Sequence, residues 1–506
     1  MSAAGFLPLV SGQGYDLRRV PLLAWADFEA EIRRRLDAGA RVAAYFAHRP
    51  GPAAAHQLWM LLAEDARGCL WAGRSKVTRA FPSLCARYPQ LQLFEREIAE
   101  QYGLEPQGHP WLKPVRFQRP MPAPGRKARA TAPPAVGSMP FFKVQGEEVH
   151  EVAVGPIHAG IIEPGHFRFQ CHGEDVFHLE ISLGYQHRGI ERALLGQPIQ
   201  GHSAVMETVA GDTSIGHSAA YCQVVEALAG CQKPPRSLTL RGIALELERL
   251  ANHVGDLGAL AGDVGYLPTS AYCGRLRGDF LNLTALLCGS RFGRGFNRPG
   301  GVAYDVDDAR IATLLRRLDA AEKDVNSAVG LLWDTPSVMA RFEGPGALSR
   351  ATARSLGLVG PVARACGLEQ DVRQDHPSGI YRFCHIPVAV GENGDVFARA
   401  YVRWLEFHRS LQFIREQCSA LPDGPVRCAV KAPKPNRLAV SLLEGWRGEI
   451  CHVALTDARG RLARYKIVDP SFHNWPGLAM ALRGQQISDF PICNKSFNLS
   501  YCGHDL

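Results

Sequence analysis

The chain has 506 residues, 46% apolar and 21% charged, the balance of a folded protein with roughly two to four domains rather than a disordered one. Its 57 basic and 49 acidic residues leave a net charge of +8, and no Lys/Arg block is interleaved with aromatics, which argues against nucleic-acid binding. No apolar run reaches the ~18 residues needed to cross a bilayer, and the start lacks the basic and apolar regions of a secretory signal. The 14 cysteines include no C-x-x-C pair and are expected to be small buried hydrophobes in a reducing compartment.

Residues 1–115 read as a small α+β unit. GCLWAGRSKV has the composition of a short strand and turn. FEREIAEQYGL, from Phe94, predicts a helix: Leu93, Phe94, Ile98 and Tyr102 fall on one side, and Gly103 is its stop. RPMPAPGRKARATAPPAVGSMP, residues 119–140, carries six prolines and cannot bury a core, so residues 116–148 are expected to be a linker. Between Glu105 and Glu147 there is no acidic residue, while Lys113, Arg116, Arg119, Arg126, Lys127, Arg129 and Lys143 are basic. This run reads first as a solvated tether, and second as a contact for an acidic partner or an anionic membrane surface.

Residues 149–506 form the larger unit. EEVHEVAVGPIHAGIIEPGHFRFQCHGEDVFHLEISLGYQHRGIE predicts an antiparallel β element, with turns at GPIHAG, EPGH and CHGED. Helices follow. Ile243, Leu247, Leu250, Val254 and Leu257 make one helical stripe; Ile311, Leu315, Leu318, Val325 and Val329 make a second within 308–333. VFARAYVRWLEFHRSLQFIREQ is a third helix, and EGWRGEICHVALTDARGRLARYKIVDP returns to strands. The fold class is α+β, a helical bundle behind a β-rich start with a small α+β domain in front.

The common nucleotide, zincin and hydrolase motifs are absent. Polar residues crowd two regions. One spans 155–191 and holds His158, Glu163, His166, Arg168, His187, Arg188 and Glu191; the other is the C-terminal DFPICNKSFNLSYCGHDL. Cys-His neighbours at 171/172, 384/385 and 451/452 make poor metal sites, because adjacent residues rarely both reach one ion. ETVAGDTSIGHS, residues 207–218, has the outline of a ligand loop closing in His217-Ser218. Ala210 and Thr213 stand where a pair of thiolates would be sought.

Five blocks in order, GPIHAGIIEPGHFRF, LGYQHRGIERAL, LELERLANHVGDLGALAGDVG, NRPGGV and EGWRGEI, resemble the large subunit of energy-converting nickel–iron hydrogenases. They also resemble its relative in respiratory complex I, the 49 kDa quinone-site subunit. LFEREIAEQYGLEPQGHPWL resembles the 30 kDa subunit of complex I, and the fused order is that of formate-hydrogenlyase-type large subunits. The resemblance implies the hydrogenase large-subunit fold over 149–506 and a complex I 30 kDa-like fold over 1–115. In that family two C-x-x-C pairs hold the metals. Their positions align with Ala210 and Thr213, and with Ser496 and Leu499, while Cys493 and Cys502 flank the second pair. Soft thiolates hold nickel and low-spin iron, so no nickel–iron centre and no other cofactor is expected in this chain.

The quinone-site pattern of complex I is also incomplete. A quinone-holding tyrosine aligns with Thr208, and a further histidine aligns with Gly293. IIEPGH is two residues longer than the complex I form, so His166 does not map onto its first-turn histidine. What survives is His187-Arg188-Gly189, implied to face a partner's 4Fe-4S cluster, Arg298 before PGG, and Glu444 and Arg447, whose intervening AP is GW here. Each has a structural reading too: Arg188 tying a β turn to a helix, His217 capping SAAYCQVVEAL, Arg298 bracing the Pro-Gly-Gly turn, and Glu444 pairing with Arg447.

Three roles follow from the resemblance. The first is an electron-transfer subunit passing electrons from the partner cluster to a quinone or other acceptor. The second is a coupling scaffold whose cavity is filled by side chains such as Leu499, Phe497 and Ile215; the third is a true hydrogenase. The implied partners are an iron–sulfur subunit like the 20 kDa subunit of complex I, a ferredoxin-like subunit and antiporter-like membrane subunits. The implied location is the cytoplasmic face of the membrane.

Overall fold

A computed structural model describes residues 5–121, 133–158, 162–197, 199 and 201–506. Arg126, Lys127, Arg129 and part of the GPIHAG turn lie outside them. At the front, Arg41–His48, His56–Glu64 and Cys69–Val77 pair antiparallel, and Leu7–Leu9 and Leu22–Leu23 line the other edge of the last strand. GCLWAGRSKV is thus most of one long strand, with Leu70 and Ala72 turned into the core. The helix Gln92–Tyr102 buries Phe94 and Ile98 and stops at Gly103, whose φ of 64° gives the left-handed cap that glycine adopts without strain.

In the larger unit, Val149–Val154, His166–His172 and Asp175–Ser182 form the expected antiparallel sheet, with Gly173 in the CHGED turn. The bundle consists of Pro235–Asp263, Leu267–Cys288, Asp308–Trp333 and Val396–Ser419. The stripe Ile243, Leu247, Leu250, Val254 and Leu257 is wholly buried at its centre. The first of these helices also buries Glu246, Arg249 and His253, so it is enclosed on all sides rather than amphipathic.

Arg437–Gly445, Gly448–Thr456 and Leu462–Val468 make an antiparallel sheet whose fourth strand, Gly14–Asp16, comes from the front of the chain. Its two faces serve different cores, as the period-2 alternation of a strand requires. Leu438, Val440 and Leu442 share a core with Phe28, Phe46 and Trp59, whereas Ala439 joins Tyr221 and Val225 of the helix Ser214–Ala229. The tether reading is corrected at Lys113 and Arg116. Arg116 is buried against Glu97, and Lys113 Nζ lies 2.5 Å from Glu180, because these cations neutralise carboxylates at packed surfaces. No helix among the described residues is long and apolar enough to cross a membrane.

Candidate functional site

ETVAGDTSIGHS folds as a turn leading into the helix Ser214–Ala229, whose N-cap is Thr213. The helix starts before His217, and this corrects the capping reading of that residue. The free amides of Ile215 and Gly216 donate instead to the Glu248 carboxylate, at 2.7 and 3.1 Å. His217 points into the interior. Its Nε2 lies 2.9 Å from Asp469 Oδ2 and its Nδ1 3.1 Å from His452 Nε2, and His452 Nδ1 lies 2.8 Å from the Tyr465 hydroxyl. Burial holds the His452 imidazole neutral by pushing its pKa well down.

Facing the turn is the tip of a hairpin. Gly445 pairs with Gly448, leaving Trp446 and Arg447 as a two-residue loop. Gly448 has φ 131°, and a Cβ there would lie 2.8 Å from Gly360 Cα, so only glycine lets the two segments pass. Arg447 forms a two-pronged ion pair with Asp212, at 2.6 and 2.7 Å, and donates through Nε to Asn498 O at 2.5 Å. Trp446 is 1% exposed, and its indole N–H is shared between Asp212 O and Thr213 Oγ1, each at 3.1 Å. The guanidinium of Arg447 lies 3.9 Å over the Trp446 ring. Burial works against ionisation of Asp212, but Arg447 outweighs it and holds the carboxyl below its usual range. Glu444 is not the partner of Arg447, which corrects that expectation. Lying on the strand rather than in the loop, it accepts from Arg364 Nη1 at 2.9 Å and from the Val372 amide at 3.1 Å.

The four positions aligned with metal ligands are buried. Ala210 and Leu499 carry no donor atom. The Thr213 hydroxyl donates to Asp212 Oδ1 at 3.1 Å while accepting from Trp446, and the Ser496 hydroxyl donates to Cys493 O at 2.6 Å while accepting from Arg399 Nε at 2.8 Å. Burial pushes the thiols of Cys493 and Cys502 up to about 11, so both stay protonated. The cavity beside Asp212, lined by Ile215, Glu248, Asn252 and Phe292, is about 10 Å³, room for about one water.

The two polar regions singled out in the sequence do meet. The Glu163 carboxylate accepts from the amides of Tyr501 and Cys502, both at 3.3 Å, and Asp505 accepts from those of Gly184 and Gln186, at 2.8 and 2.9 Å. His187 Nδ1 donates to Asp505 O at 2.7 Å. Arg188, exposed, donates to Thr208 O, and at 3.0 Å to both Val209 O and Cys502 O. It therefore joins three segments, not one turn and one helix. His158 Nε2 lies 3.0 Å from Gly165 O, and His166 bridges Gly155 O at 3.0 Å and Arg168 Nε at 3.2 Å. Glu191 belongs elsewhere, buried between Arg464 at 2.8 Å and Lys466 at 3.2 Å. Arg298 does not brace the PGG turn with its side chain. That work falls to Arg241, which donates to Arg298 O and Gly301 O, both at 2.7 Å, and pairs with Glu226. Asp212, Asp469 and Arg399 escaped the sequence reading, and His452 was weighed there only as a metal ligand beside Cys451. Only Trp446 announced itself there, as a bulky residue in place of a proline.

Residues 263–438 match the family described as "Respiratory-chain NADH dehydrogenase, 49 Kd subunit", and residues 55–133 match the corresponding 30 Kd subunit. The chain is 34% identical over 350 residues to the carbon monoxide-induced hydrogenase of Rhodospirillum rubrum, a match covering 69% of this chain and 97% of that one. To formate hydrogenlyase subunit 5 of Escherichia coli it is 31% identical, over 83% of this chain and 76% of that one. Its fold is similar to a chain of the membrane-bound sulfane sulfur reductase, an archaeal respiratory membrane complex, with a TM-score of 0.67 and 23% identity over 71% of this chain and 99% of that one. The chain belongs to the family that joins the large subunits of energy-converting hydrogenases to the 49 kDa subunit of complex I, with a 30 kDa-type part fused in front.

Proposed function

We propose that this chain is a peripheral coupling subunit of a membrane-bound oxidoreductase complex, holding no nickel–iron centre of its own. It would seat an iron–sulfur subunit like that of complex I, with its ferredoxin-like companion, against antiporter-like membrane subunits on the cytoplasmic face. The observation that carries this reading is the closed state of the old metal pocket. Trp446 and the Arg447–Asp212 ion pair stand between the two aligned segments, and both available hydroxyls already have partners. A methyl group, an isobutyl group and two engaged hydroxyls do not fit a nickel–iron pair, which needs thiolates. The decisive experiment is metal analysis of the intact purified complex. Iron matching the iron–sulfur subunits with less than about a tenth of a nickel atom per chain is the expected result; stoichiometric nickel with hydrogen uptake would overturn it.

A redox role has support of its own. Among the described residues His187 uses only Nδ1, and Arg188 beside it is exposed, so this turn offers an imidazole and a guanidinium to a partner's 4Fe-4S cluster or to an acceptor beside it. A quinone would bind at that surface, since the cavity beside Asp212, at about 10 Å³, is far below the about 300 Å³ at which pockets for drug-sized ligands begin. Acceptor-dependent turnover of the complex that falls at least tenfold in His187→Gln supports this role. Unchanged turnover removes it and leaves the coupling role alone.

A further inference from the structure

One feature that the metal-pocket region does not absorb is a cavity of about 240 Å³ between the front unit, the exit of the linker and the small three-stranded sheet. Its wall is aromatic and aliphatic, with Trp111, Phe141, Trp475 and Met480, but it is also cationic. Three basic side chains line it, Arg96, Lys113 and Arg483, against a single carboxylate, Glu180. Glu180 is already taken, by Lys113 Nζ at 2.5 Å and by the Phe142 amide at 2.8 Å.

Neither arginine has a carboxylate within 4.0 Å among the described residues. Arg96 is pinned by donation from Nε to Lys113 O at 2.8 Å and from Nη2 to Pro114 O at 2.9 Å, leaving Nη1 without a protein partner among the described residues. Burial presses its pKa down to about 10, and the more distant carboxylates of Glu180 and Glu100 offset this only in part. Arg483 is exposed at the rim, and among the described residues its guanidinium has only a 3.4 Å contact to His178 Nδ1. Deeper in, Trp475 is 3% exposed and its indole N–H has no acceptor among the described residues. The wall of the cavity thus includes a half-buried guanidinium N–H and a buried indole N–H that are unused among the described residues, while its carboxylate is already paired.

We propose that this cavity binds a small amphipathic anion, a carboxylate on a flat aromatic body, with the carboxylate at Arg96 and the ring against Trp475, Trp111 and Phe141. The volume, below that of drug-sized pockets, suits one or two fused rings.

Titration calorimetry of the full-length chain with 2-naphthoate and with the neutral 2-naphthylmethanol tests the idea. Saturable 1:1 binding of naphthoate is expected, at least tenfold tighter than the alcohol and weakened at least tenfold in Arg96→Met. Because Arg96 also holds two main-chain carbonyls, Arg483→Met serves as the second variant, with circular dichroism checking the fold of each. A severalfold weakening is expected there. Equal affinity for the neutral analogue, binding indifferent to both substitutions, or no saturable binding of naphthoate overturns the proposal.

Discussion

Arg447 gathers Asp212, Asn498 and the face of Trp446 around one guanidinium, and Trp446 fills the space that a smaller residue would leave open. Trp446→Ala removes a fully buried indole from a site with little room to relax. A loss of about 3–5 kcal/mol in urea unfolding is expected. A second residue-scale consequence lies at Glu444. Four carboxylates, of Glu246, Asp371, Glu406 and Glu444, meet three guanidiniums, of Arg249, Arg364 and Arg373. Burial lowers the pKa of the neighbouring His253, so it supplies no fourth cation at neutral pH. The surplus appears at Glu444, where burial raises the pKa from 4.5 to about 7. An acid whose folded pKa exceeds its unfolded one binds more protons when folded, so its contribution to stability falls as pH climbs from 4.5 to 7. Glu444→Gln abolishes that term. Its stability relative to the parent should therefore rise between pH 5 and 7.5, by about 3 kcal/mol at most, as read by chemical denaturation across the range.

Among the elements, the hairpin Arg437–Thr456 has the least freedom at Gly448. Gly448→Ala combines a left-handed φ with a clash against Gly360. A cost of about 2–3 kcal/mol is expected, and the melting curve should show it. Much at this scale was legible in the sequence. The stripes through Ile243 and Ile311 predicted helices that the structure contains, since a 3.6-residue period survives any tertiary context. Leu267–Cys288 was passed over: its own apolar series, Cys273, Leu276, Phe280, Leu283 and Leu287, is diluted by Gly274, Gly278 and the exposed Leu267 and Tyr272. The site was less legible, because its partners are remote in sequence. Asp212 meets Arg447, Arg399 meets Ser496, and Asp469 meets His217, and no local pattern marks any of these pairs.

At the scale of the whole molecule, front and rear are held together by buried charge as well as by a shared core. Lys466, fully buried on the rear sheet, lies 2.7 Å from Glu97 of the front helix and 3.2 Å from Glu191. Lys466→Met takes one of two cations from each carboxylate, Glu97 keeping Arg116 and Glu191 keeping Arg464, and is expected to cost about 3 kcal/mol, with front and rear still melting in one calorimetric transition. The strand Gly14–Asp16 binds them further, because Asp16 pairs with Arg437. During synthesis the early strand emerges first, and its neighbour follows only after about 420 more residues. At roughly 5–20 residues per second, the ribosome leaves that β edge unsatisfied for about twenty to eighty seconds. A nascent chain of this kind needs shelter from aggregation until its last third has been translated.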